Sequence, residues 1–151
     1  RRFVADGGGV VGIRTASHAF ALRKGQPLPE GAAVWPEWDA DVLGGNYQNH
    51  HGADAKTSAI VAGGARHPVV EGLPVAAFAT GGSLYRNTPL REGSTVLLTG
   101  RAEGIPAPEP VAWVREGKNR VFYTSLGHPD DFAAPPFRRL LLNALRWCAQ
   151  R

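Results

Sequence analysis

The run Val121-Phe122-Tyr123-Thr124-Ser125-Leu126-Gly127-His128-Pro129-Asp130-Asp131 carries an apolar segment to an imidazole that stands beside two carboxylates. A ring that titrates near neutrality, with a carboxylate to fix its tautomer, is a common device of general acid/base catalysis. His128 is the expected functional group, with either neighbouring carboxylate able to orient it; the plainer use of Asp130 or Asp131 is to cap the following turn. A second concentration of polar groups, Leu43-Gly44-Gly45-Asn46-Tyr47-Gln48-Asn49-His50-His51-Gly52, sets amide, phenol and imidazole groups in a glycine-bearing loop. Sugar hydroxyls require such dense donors and acceptors. Adjacent histidines in a strand point to opposite faces, so His50 and His51 serve one site only if the backbone turns there. No H-E-x-x-H or paired C-x-x-C spacing occurs, so the sequence signals no metal and names no cofactor.

Arg14-Thr15-Ala16-Ser17-His18 follows the apolar run Val10-Val11-Gly12-Ile13. In an open α/β sheet the carboxyl ends of parallel strands form the ligand crevice, which makes Arg14 and His18 candidate binding residues; the alternative is an ion pair and a loop hydrogen bond. Gly7, Gly9 and Gly12 match G-x-G-x-x-G by spacing, but that fingerprint must follow a strand and open a helix, and here the glycines lead into the strand. Ser17 lacks the G-x-S-x-G frame of a strained nucleophile. His67, directly before Pro68, reads as a structural turn residue.

These residues need a scaffold. Val10 to Ile13 has the continuous apolar character of a central parallel strand, preceded by a helix tail over Arg1 to Ala5. Glu37 to Leu43 shows a short helical pattern stopped by Gly44-Gly45. Thr57 to Val61, Pro74 to Phe78 and Ser94 to Thr99 read as strands. Val111 to Val114 and Arg120 to Ser125 flank a hairpin turn at Glu116-Gly117-Lys118-Asn119. Pro135-Pro136 opens a closing helix, in which Phe137, Leu140, Leu141, Ala144, Leu145, Trp147 and Cys148 recur at steps of three and four.

The chain has 151 residues, 43% hydrophobic and 20% charged, which excludes disorder for most of it, while 19 Gly and 12 Pro exclude a helical bundle. No apolar stretch is long enough for a membrane helix. The 14 Arg and 3 Lys that give a net charge of +4 are scattered rather than striped, which speaks against nucleic acid as a partner. The lone Cys148 forms no internal disulfide, and localisation stays open. With no Met and an opening on Arg1-Arg2, the native N-terminus is expected to lie upstream.

In order along the chain, Asp6-Gly7-Gly8-Gly9-Val10-Val11-Gly12-Ile13, Val42-Leu43-Gly44-Gly45-Asn46 with His50, His67-Pro68-Val69-Val70-Glu71-Gly72-Leu73-Pro74, Ser83-Leu84-Tyr85-Arg86, Val96-Leu97-Leu98-Thr99, Pro110-Val111-Ala112-Trp113 and Arg120 through His128 resemble the ThuA-like domain, named for trehalose utilisation. The resemblance spans nearly the whole chain and implies one domain over 1–151. It implies an α/β fold, a flavodoxin-like three-layer sandwich of the class I glutamine amidotransferase type, with the N-terminal βα units absent from the chain. Amidotransferases carry G-I-C-x-G and H-P-E where this chain has Gly12-Ile13-Arg14-Thr15-Ala16 and His128-Pro129-Asp130. Arg14 stands in place of the nucleophilic Cys and cannot form an acyl-enzyme, so glutamine hydrolysis is not expected. The family motif often has His where Arg14 stands, and His18 is the residue that could substitute for it. The resemblance thus implies a site for a sugar or keto-sugar, with His128 and Asp130 as the acid/base pair and Arg14, His18, Asn46, Tyr47, His50 and His51 lining the pocket. The alternative is a glycan-binding or assembly module without turnover. The expected partner is a small-molecule sugar, with a homo-oligomer or a partner segment completing the sheet.

Overall fold

The computed structural model describes residues 1–22 and 25–150. Strand β1 (Val10–Ile13) pairs parallel with β6 (Arg120–Thr124), Val10 opposite Val121 and Ile13 opposite Thr124. Because the two run the same way, their carboxyl ends leave the sheet side by side, and the segments beginning at Arg14 and Ser125 emerge together. The four remaining strands are β2 (Lys56–Val61), β3 (Phe78–Ser83), β4 (Ser94–Arg101) and β5 (Glu109–Glu116). All other pairings are antiparallel, and the six strands form one mixed sheet in the order β1-β6-β5-β4-β2-β3. Strands β5 and β6 make the expected hairpin.

Two expectations are corrected. β1 is parallel but lies at the sheet's edge, and Val10, Val11 and Ile13 are half-buried rather than enclosed, because among the described residues no strand pairs with its second edge. The strand expected over Pro74 to Phe78 starts only at Phe78. Pro74 has no N–H to give a ladder, and Val75 stands 93% exposed.

Alternation along β5 and β6 sends side chains to two packing layers, as a period of two requires. Phe122 and Val114 meet the closing helix α2 (Pro135–Ala149) through Phe137, Leu140 and Ala144, while Val121, Tyr123 and Trp113 face Val42 and Leu43 on the other side. A short helix, α1 (Arg2–Ala5), precedes β1. The buried stripe of α2 runs Phe137, Leu140, Ala144, Trp147 and Cys148. Leu145, expected on it, sits one step around the helix and is 56% exposed. Full burial of a side chain such as Phe137 or Leu140 contributes roughly 1.5–3 kcal/mol, so this stripe anchors the helix. The second layer is fastened by polar ties as well: a single π-helical turn (Asp39–Leu43) ends at Gly44 with φ 73°, and Trp113 Nε1 donates to the Leu43 carbonyl at 2.7 Å. No helix is long and apolar enough to cross a membrane among the described residues.

Candidate functional site

Where β1 ends, the chain turns abruptly. Arg14 has φ 48°, a backbone conformation that L side chains adopt at a cost, and it opens a 3-10 turn over Arg14–His18. The turn is held from below by Tyr123, whose hydroxyl donates to the Arg14 carbonyl at 2.7 Å. The Arg14 side chain reaches Gly82 of β3, its Nη1 filling the space a Cβ there would take, and its guanidinium carbon lies 5.3 Å from the centre of the Tyr85 ring. Nη1 is shut from solvent without a hydrogen-bond partner.

The neighbouring glycine does the same for the end of β6. A Cβ on Gly81 would stand 2.5 Å from His128 Nδ1 and 3.2 Å from Asp130 Oδ2. Two consecutive strand glycines thus admit His128 and Arg14, the close approach that a glycine inside a strand often marks.

His128 caps a 3-10 turn over Pro129–Ala133. Its Nδ1 lies 3.3 Å from the Asp130 N–H nitrogen and 3.3 Å from Asp130 Oδ2. Proton exchange at Nε2 interconverts the neutral ring that carries its proton on Nδ1 and the imidazolium; both have an Nδ1–H, and Asp130 Oδ2 is the acceptor facing it. The other neutral tautomer, with Nδ1 bare, accepts the Asp130 N–H instead. The two carboxylates divide their work. Asp130 is solvent-exposed, whereas Asp131 is buried and accepts the Gly81 N–H at 2.7 Å on Oδ1 and the Gly127 and His128 N–H groups at 2.8 and 2.9 Å on Oδ2.

From Arg14 a row of rings leads to the loop after Gly44. Tyr85 lies 4.9 Å from Tyr47, centre to centre, and Tyr47 stacks on His18 at 4.8 Å with 23° between planes. His50 pairs with Tyr85 in an antiparallel bridge, its ring 6.5 Å away. Asn46 is half-buried in the same loop. The sequence-derived residues Arg14, His18, Tyr47, His50, His128 and Asp130 are thus linked through Tyr85, Gly81 and Gly82. His51, in a bend just after the His50 bridge, has its Nε2 3.2 Å from Glu109 Oε1. Burial pushes the Glu109 carboxyl up, but the Thr88 hydroxyl, the Asn87 N–H, His51 and the Thr88 N–H together hold it below its ordinary value.

Sequence reasoning missed Tyr85, which is 4% exposed and central to the row, and Asp39. Asp39 Oδ2 accepts the Tyr47 N–H at 2.8 Å; burial pushes its carboxyl up, against the pull of that bond and of His18. The available signal was the pair Gly81-Gly82 set before Tyr85 in an otherwise extended stretch. Among the described residues no three of His, Cys, Asp and Glu converge to hold a metal ion. A cavity of about 630 Å³ lies elsewhere, beside the start of β1, lined chiefly by apolar groups such as Phe3, Val10, Phe20 and Trp35.

Residues 1–148 match a family model described as ThuA, trehalose utilisation, a description that ties the family to carbohydrate use. Comparison with curated proteins returns no match.

Proposed function

Since the chain belongs to the ThuA family, we propose that the row of side chains at the carboxyl ends of β1 and β6 binds a sugar or keto-sugar and acts on it by proton transfer. His128 is the acid/base and Asp130 holds its Nδ1. Arg14, His18, Asn46, Tyr47 and His50 contact the substrate, with Tyr85 as a further ring, and His51 supports the loop through Glu109. The observation that supports this most directly is the approach of His128 and Arg14 to adjacent glycines of β3, next to a run of three rings. Flat apolar faces with a few convergent polar groups are what a sugar site requires. The same reading includes the flavodoxin-like kinship to class I glutamine amidotransferases, in which Gly12-Ile13-Arg14 and His128-Pro129-Asp130 stand at the ends of one parallel pair. Acyl transfer is no part of it, because Arg14 occupies the place of the nucleophile.

The test is product analysis of the chain with trehalose and with keto-glycosides, for wild type and His128→Ala. Turnover that disappears in the variant, with the thermal melt unchanged, is the expected result. Turnover that survives removes His128 from the mechanism, and sugar binding without any turnover makes the chain a glycan-binding module.

A further inference from the structure

We propose that Arg14 is built to receive a carboxylate, so that the substrate class is a sugar acid rather than a neutral sugar. This rests on the sugar reading of the site and deepens it. Among the described residues the Arg14 guanidinium has no acidic group within ion-pair distance; the acidic groups that do approach a basic side chain there are Glu109 at His51, Glu116 at His67 and Asp130 at His128. Asp131 is held by three backbone N–H groups and Asp130 lies beside His128, while Asp39 takes the Tyr47 N–H on Oδ2 and keeps its buried Oδ1 unpartnered. One nitrogen, Nη1, is sealed from solvent and unpartnered, so the guanidinium keeps an unneutralised charge, which an anion at its remaining N–H donors would offset.

The residue is also held in place for this. Its backbone is in the left-handed region, its carbonyl is pinned by Tyr123, and its plane lies against Gly82 and near the Tyr85 ring. Strain retained by such constraints is characteristic of ligand-binding positions. Arg14 as a whole is half-buried, and the proposed carboxylate approaches its guanidinium on the side away from Gly82. A planar fork of N–H donors matches a planar carboxylate.

Calorimetric titration of the full chain with matched pairs tests this: D-glucose against D-glucuronate, D-galactose against D-galacturonate, and glucose 6-phosphate as a separate arm. The expected result is that a uronate binds at least about tenfold more tightly than its neutral partner, with a preference that weakens as salt is added. The preference should vanish in Arg14→Gln and shrink in Arg14→Lys, which keeps the charge and loses the fork. The lysine variant decides the matter if the glutamine variant does not fold. Equal binding of neutral and acidic sugars overturns the proposal and leaves the sugar reading standing. So does a uronate preference that persists in both variants, or tighter binding of the sugar phosphate. Failure of the wild type to bind any of these sugars overturns the proposal, while the sugar reading is decided separately by the product analysis with trehalose and keto-glycosides.

Discussion

Asp131 fastens the loop after β6 to Gly81 of β3 across fifty residues of sequence, its Oδ1 accepting the Gly81 N–H at 2.7 Å while Oδ2 takes the N–H groups of Gly127 and His128. One buried carboxylate thereby sets the position of the imidazole relative to the strand it leans on. Asp131→Ala leaves three N–H groups without their acceptor and should lower unfolding stability by roughly 3–5 kcal/mol. Chemical denaturation measures this, and a loss below about 1 kcal/mol would show that solvent replaces the carboxylate.

Gly81→Ala tests the close approach of β3 to His128 directly. The new methyl would meet the ring at Nδ1, so the imidazole must move or β3 must shift. Overpacking of this kind costs about 1–3 kcal/mol, and displacement of a catalytic group by about 1 Å can cost roughly a hundredfold in rate. We expect kcat/KM, measured on the substrate that product analysis identifies, to fall far more than stability does. Undiminished kcat/KM would separate the Gly81 contact from catalysis.

His67 makes stability depend on pH with a definite sign. Burial lowers its pKa below 6.5, outweighing the opposing pull of Glu116, and Arg120 adds a little to the lowering. Its Nδ1 must stay bare to accept the Val69 N–H at 3.2 Å. The folded state thus favours the neutral ring. Its contribution is fully present above about pH 6.5 and declines as pH falls below that value, where the unfolded chain takes up the proton first. His67→Asn keeps a capping acceptor and removes the titration. Thermal melts between about pH 8 and pH 5 should show a smaller loss in the variant than in wild type; parallel losses would assign the acid sensitivity to other groups.

Cys148 is expected to be chemically inert. It is buried in α2 with its Sγ 3.3 Å from the Val10 carbonyl, at the start of β1 and so at the opposite end of that strand from Arg14. Burial pushes its thiol up to about 11, which keeps it protonated at neutral pH. An ammonia-release assay with glutamine should give no signal above background, and Cys148→Ser should change stability by only about 1 kcal/mol. Glutaminase activity lost on this substitution would overturn the assignment of the site to the far end of β1.

What lay within a few residues was legible in the sequence by itself. The β5–β6 hairpin follows from a turn segment between alternating apolar runs, and α2 from Pro135 and its three-and-four spacing. The emergence of Arg14 and His128 near strand ends was legible for the same reason: Arg14 follows β1 directly, and His128 comes four residues after β6 ends at Thr124. Tertiary structure alone decided that β1 is an edge strand, that β3 begins where Pro74 and the exposed Val75 end, and that Asp131 rather than Asp130 is the buried anchor. It also brought in Tyr85 and the glycine pair of β3, which lie about forty to seventy residues from the groups they meet. Local propensity and periodicity act over one or two turns of chain. Which of two adjacent carboxylates is desolvated, and which strand comes to lie against Arg14, depends on pairing order and packing between distant segments.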